Sequence, residues 1–121
     1  MILVTGATGF VGSHLLRRLA RSDNPPVRGL VRRGRTGVRD GVDPVVGDLT
    51  KPETIGPALA GVSTVVHAAA ITGDKKEPYR GAYDQINRVG TENLVAAARE
   101  AGVGRFVLLS GLGTAPAPAG T

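Results

Sequence analysis

Apolar residues along the chain gather into five short runs, separated by glycine-rich, polar or helix-patterned segments. Met1-Ile2-Leu3-Val4-Thr5 has the length of a strand and meets Gly6-Ala7-Thr8-Gly9-Phe10-Val11-Gly12 without a linker. Ser13 to Arg21 reads as a helix, and Ser22-Asp23-Asn24-Pro25-Pro26 as a turn. Val27 to Val31 is the second strand. Arg32 to Val42 is polar, rich in glycine and without helical periodicity, and reads as a loop crossover. Asp43 to Gly47 is the third strand. Thr50-Lys51-Pro52-Glu53 has capping-box spacing and predicts a short helix, made irregular by Gly56 and Pro57. Thr64 to His67 is the fourth strand, and Gly73 to Pro78 a charged loop. Tyr83 to Ala101 carries the clearest helical pattern, with Ile86, Gly90, Leu94, Ala97 and Ala101 on one stripe. Gly102 and Gly104 end it. Arg105 to Ser110 is the fifth strand, and the Gly, Ala, Pro and Thr of Gly111 to Thr121 predict loose chain.

Nearly continuous apolar strands alternating with helices indicate an α/β fold with a parallel sheet covered on both faces. Right-handed crossovers give a doubly wound sheet of strand order 3-2-1-4-5, ending after the fifth strand. The first helix lies on one face and the later two on the other. One domain is expected over residues 1–113, incomplete, with a flexible tail over 114–121. On the first helix's side, strands four and five have no cover in this layout. The expectation is therefore a poorly soluble chain, one that pairs through this face (with a second copy, for example), or half of a larger domain.

Strand, glycine turn and helix together form an anion cradle. Gly6 permits the tight turn, Gly9 lets a pyrophosphate approach the backbone, and Gly12 lets the helix pack close. The free N–H groups and the dipole of the first helical turn face the anion. The bland alternative is a structural turn with no ligand.

Composition narrows the field. The formal charge is +5, and twelve of the fifteen cationic side chains are Arg. Aromatic residues number four, Phe10, Tyr79, Tyr83 and Phe106, so no stacking platform for nucleic acid is visible. The chain has no Cys, hence no disulfide or thiolate chemistry, and His14 and His67 lack metal-ligand spacing. No apolar stretch reaches the roughly 20 residues of a membrane span. The first strand opens at Met1 with no leader ahead of it, which makes a cytoplasmic protein the expectation.

The spacing Thr5-Gly6-Ala7-Thr8-Gly9-Phe10-Val11-Gly12 resembles the opening of the extended and atypical short-chain dehydrogenase/reductases, which include NAD(P)-dependent epimerases, dehydratases and reductases. The resemblance implies a Rossmann-type fold and a nicotinamide dinucleotide. At the end of strand two, about 20 residues past the glycines, a carboxylate would bind a ribose 2′-hydroxyl. Here Arg32 and Arg33 follow, then Arg35, with no carboxylate before Asp40. Guanidinium groups suit a 2′-phosphate, so NADP is expected ahead of NAD, unless these Arg residues only decorate a loop. Gly47-Asp48-Leu49 resembles the family step in which Asp48 meets the adenine amino group and the Leu49 amide meets the ring; an Asx turn is the other reading of Asp48. His67-Ala68-Ala69-Ala70 resembles the segment that runs beneath the ribose and phosphates, with His67 a strand-end residue rather than a base. Asn87-Arg88-Val89-Gly90-Thr91-Glu92-Asn93-Leu94 resembles the family helix whose first Asn holds the strand-four region in place.

The family's chemistry is hydride transfer at a carbon bearing oxygen, with a Tyr as general acid/base and a Lys four residues beyond it whose charge lowers the Tyr pKa. Ser110 stands where the family's substrate-binding Ser falls. No Tyr-x-x-x-Lys is present; Lys51, Lys75 and Lys76 all precede strand five, as do both tyrosines. The segment Ser110-Gly111-Leu112-Gly113-Thr114 is similar to the atypical branch, which includes complex I accessory-subunit-like reductases. Two readings follow: the cofactor-binding portion of an oxidoreductase or epimerase, inactive alone, or a non-catalytic dinucleotide module serving as redox sensor or accessory subunit.

Overall fold

In a computed structural model, residues 1–21, 25–34, 41–69 and 78–109 are described. Five strands, β1 (Ile2–Thr5), β2 (Val27–Val31), β3 (Asp43–Val46), β4 (Thr64–His67) and β5 (Arg105–Leu108), form one parallel sheet in the order β3-β2-β1-β4-β5. The expected order and the limits of β2 and β4 hold; β3 stops one residue earlier than expected. Ser110 and the segment after it lie outside the described residues, as do the expected turn residues Ser22 to Asn24 and most of the second crossover.

The sheet buries a different core on each face. Side chains alternate along a strand, so Leu3 and Val65 point one way and Val4 and Val66 the other. Leu3, Leu30, Val65, Leu94 and Ala98 meet Ile55 and Leu59 from two 3₁₀ turns, Pro52–Thr54 and Gly56–Leu59. Val4, Val27, Val31 and Val42 meet Ala7 and Leu16 of the opposite layer. Arg28 ties the first layer to the sheet. Its Nε lies 3.1 Å from Asp43 of β3, and Nη1 donates to the carbonyls of Ala58 at 2.7 Å and Ala60 at 2.8 Å.

Three local expectations are corrected. Helix α1 spans Phe10–Leu19 and so begins three residues before Ser13. Its N-cap is Gly9, extended at φ −79°, ψ 173°, with no side-chain cap; no capping side chain marks the start in the sequence. The capping box at Thr50 does not form: the Thr50 hydroxyl donates to Asp48 Oδ1 at 2.7 Å, and the 3₁₀ turn begins from Lys51 without a side-chain cap. The long helix is composite. A π-helical turn, Asp84–Val89, leads into α2 (Gly90–Glu100). The buried stripe of α2 runs Gly90, Leu94, Ala98, with Ala97 half-buried and Ala101 exposed. The wider turn rotates what precedes it, and Ile86 lines a groove instead of joining the core under Leu94.

Candidate functional site

The carboxyl ends of β1, β2, β3 and β4 open onto one groove of about 500 Å³. This is where open parallel sheets place ligands, beside the strand at which the order reverses. Its floor is the turn after β1. Gly6 takes φ +71°, and a Cβ there would lie 2.9 Å from the Ala68 carbonyl and the Ala69 nitrogen. Gly9 N–H donates to the Gly6 carbonyl at 3.0 Å, closing the turn. A Cβ on Gly12 would lie 1.9 Å from that same oxygen, so Gly12 allows the helix to seat on the turn itself. Gly9 is exposed, and a Cβ on it would meet only the Gly6 oxygen, at 3.3 Å. The open side above Gly9 is a cradle that a side chain would fill. The helix N-terminus lies there, and its first amides have no acceptor within the helix.

The groove gathers Gly6, Thr8 and Gly9 from the turn, Arg32 from the end of β2, Asp48 and Leu49 after β3, and Ala68 and Ala69 after β4. Phe10, Val11, Gly12, Arg33 and Asn87 lie outside its lining. Phe10 is 81% exposed and its ring rests 4.6 Å from that of His14. Phe10, Val11 and Gly12 form the first turn of α1, where main-chain N–H groups have no acceptor within the helix. Asn87 is half-buried on the π-helical turn, where its carbonyl accepts from the Thr91 hydroxyl at 2.6 Å. Ala70 and Ser110 lie outside the described residues, as does Arg35.

Asp48 is organised by its neighbours. Its Oδ1 accepts both the Thr50 N–H at 2.9 Å and the Thr50 hydroxyl at 2.7 Å, an Asx turn. Thr54 Oγ1 accepts the Asp48 N–H at 2.9 Å. Burial pushes the carboxyl up, but the two Thr50 hydrogen bonds and the charges of Lys51 and Arg32 outweigh it and hold it below its ordinary value. Asp48 is therefore an anion at neutral pH, with Arg32 close enough to be felt.

Sequence reasoning missed several groups. Pro78, Tyr79 and Ile86 form the far wall of the groove, and Tyr79 is 51% exposed. His67 is buried, as a strand-end residue should be, but it is also bonded on both sides. Nδ1 lies 2.6 Å from Thr5 Oγ1, and Nε2 lies 2.7 Å from Thr91 Oγ1. Thr5 Oγ1 in turn accepts the N–H groups of Ala68 at 3.1 Å and Ala69 at 3.2 Å. The signal was the pair of threonines, but Thr5 and Thr91 lie far from His67 in the sequence and only the sheet brings them to one ring. Among the described residues no cluster of potential metal ligands occurs, and no helix is long and apolar enough to cross a membrane.

A doubly wound parallel sheet with a glycine cradle at its switch point is an NAD(P)-binding domain of the Rossmann type. Residues 2–121 match the NAD dependent epimerase/dehydratase family, and the chain belongs to that family. It is 38% identical over 112 residues to a 3-beta-hydroxysteroid dehydrogenase of Mycolicibacterium neoaurum, covering 88% of this chain and 30% of that protein. It is 34% identical over 114 residues to a UDP-glucose 4-epimerase of Vibrio cholerae, covering 92% of this chain and 34% of that one. The structure of a Thermus thermophilus UDP-glucose 4-epimerase in complex with NAD superposes with a TM-score of 0.75 at 29% identity, over 87% of this chain and 35% of that one. The chain thus spans about a third of the length of these relatives.

Proposed function

We propose that this chain is the cofactor-holding portion of an oxidoreductase or epimerase that acts by hydride transfer at a carbon bearing oxygen, and that it takes NADP in preference to NAD. The observation carrying the proposal is the convergence of an open glycine cradle, Arg32 and Asp48 on one groove. The residues fit the dinucleotide along its length. The amides of the α1 N-terminus hold the pyrophosphate, and Ala68 and Ala69 pass beneath the ribose and phosphates. Asp48 receives the adenine amino group; its Thr50 bonds both use Oδ1, leaving Oδ2 for that contact. Arg32 replaces the carboxylate that a 2′-hydroxyl would need, and its guanidinium pairs with a 2′-phosphate and covers the adenine face. When bound, the nicotinamide carries the hydride. The Ser110 hydroxyl is assigned to the substrate oxygen.

Titration calorimetry with NADPH and NADH tests the cofactor preference. Tighter NADPH binding that reverses in Arg32→Asp is the expected result; equal affinities, or tighter NADH, refute it. A second reading, a non-catalytic dinucleotide module, rests on the same groove and needs no acid/base pair. Binding of both redox forms without turnover of any carbonyl or alcohol substrate by the whole natural polypeptide supports that reading.

A further inference from the structure

We propose that His67 is a positioning residue: as the neutral Nε2–H tautomer it orients the Thr5 hydroxyl, which holds the Ala68–Ala69 backbone against the glycine turn and so shapes the floor of the dinucleotide groove. The inference rests on the dinucleotide reading above.

The tautomer follows from counting donors. Thr5 Oγ1 accepts two main-chain N–H groups, from Ala68 and Ala69. Its single O–H is left to point at His67 Nδ1, 2.6 Å away, and Nδ1 is then an acceptor. The ring proton sits on Nε2 and donates to Thr91 Oγ1 at 2.7 Å. Thr91 donates its own O–H to the Asn87 carbonyl at 2.6 Å. Every donor in the series meets an acceptor, and all hydroxyl protons point one way. A second ring proton on Nδ1 would face the Thr5 O–H. Thr5 would then have to turn its hydrogen and give up a main-chain N–H.

The consequence reaches the groove because the held segment is its floor. Gly6 is packed so closely on the Ala68–Ala69 peptide that a Cβ would come within 2.9 Å of it. Moving that peptide moves one wall of the turn that cradles the phosphate. The elements packed on His67 are β1, β5 and the π-helical turn with α2. They present the Thr5 hydroxyl, the Phe106 ring at 6.2 Å and the Thr91 hydroxyl. Their titratable and charged groups are Arg105 on β5, half-buried Tyr83 ahead of the π-helical turn, and Asp84, Arg88, Glu92, Arg99 and Glu100. All of the charged ones are exposed, and Arg88 pairs with Asp84 and Glu92. Burial lowers the His67 pKa below its ordinary 6.5, which favours the neutral ring the relay requires.

The test combines ¹⁵N imidazole NMR of His67 with NAD titrations from pH 8 to pH 5; NAD is chosen because it lacks a 2′-phosphate that would itself titrate. At pH 8 the spectrum should show Nε2–H, and an Nδ1–H tautomer overturns the proposal. Thr5→Val, isosteric but without the hydroxyl, should weaken NAD on the order of fivefold at pH 8, and Thr5→Ser should restore it. Equal affinity of wild type and Thr5→Val overturns the proposal. If His67 protonates in this range, NAD affinity falls in step with it and loses that dependence in His67→Asn, which keeps an acceptor toward Thr5; a dependence unchanged by His67→Asn overturns the proposal. Failure of both NAD and NADPH to bind the wild type at pH 8 counts against the dinucleotide reading, while the tautomer still decides the relay.

Discussion

The two sides of the sheet at β4 and β5 are built from the same apolar run but end in different surroundings. On the α2 side Val65 is fully buried and Phe106 packs against the core formed with Leu94 and Ala98. On the α1 side Val66 only borders the core, Val107 beside it is 41% exposed, and Leu109 is 42% exposed. Among the described residues the α2 layer covers Val65 and Phe106 and no comparable layer covers Val66 and Val107; past the α2 layer, Leu108 is itself 54% exposed. Apolar character in a parallel strand states that both sides want cover; the cover itself comes from elsewhere in the polypeptide. Among the described residues α1 reaches β1 and β2, while α2 and the 3₁₀ turns pack against Leu3, Leu30, Val65 and Phe106 on the opposite side.

The largest expected effect comes from the covered side. Leu94→Ala should destabilise the fold by about 2–5 kcal/mol, measured by denaturant unfolding, because the cavity opens within a closed layer. A cost below about 1 kcal/mol would show that the α2 layer is looser than its burial indicates. Next is Arg28→Met, which leaves the Ala58 and Ala60 carbonyls without their donor and should cost about 1–3 kcal/mol in the same assay. A smaller effect is pH-dependent. Because His67 has a lowered pKa in the fold, the unfolded chain binds more protons just below pH 6.5. The His67 contribution is therefore complete above pH 6.5 and is lost as pH falls through the lower folded value. The midpoint of thermal unfolding should drop from pH 7 to pH 5 more in wild type than in His67→Asn. The smallest change is expected on the open side. Val107→Thr should alter stability by no more than about 0.5 kcal/mol while reducing binding of a hydrophobic dye. A large loss there would show that the side is covered after all.

Much of this arrangement is legible in the sequence. Strands β2 and β4 announce themselves as apolar runs bounded by Pro26 and Arg32 and by Ser63 and Ala68, and their order follows from alternation with helices. The glycine cradle was legible because its spacing is local. What escaped was set by main chain or by distance. Helix α1 starts on an extended Gly9 that offers no capping side chain, so its first turn looked like loop. Thr50 and Glu53 have the spacing of a cap, but Asp48 claims Thr50 first. A π-helical turn at Asp84–Val89 leaves no compositional mark, yet it turns Ile86 toward the groove. Arg28 and His67 acquire their partners only when the strands pair, from segments 15 to 62 residues away.

The anion end of the groove is made of peptide groups, with three glycines whose substitution meets neighbouring atoms. An engineer therefore has little there to redesign. On the reading proposed above, exchanging NADP for NAD falls to a rim side chain, Arg32, which can be swapped without touching the turn beneath it.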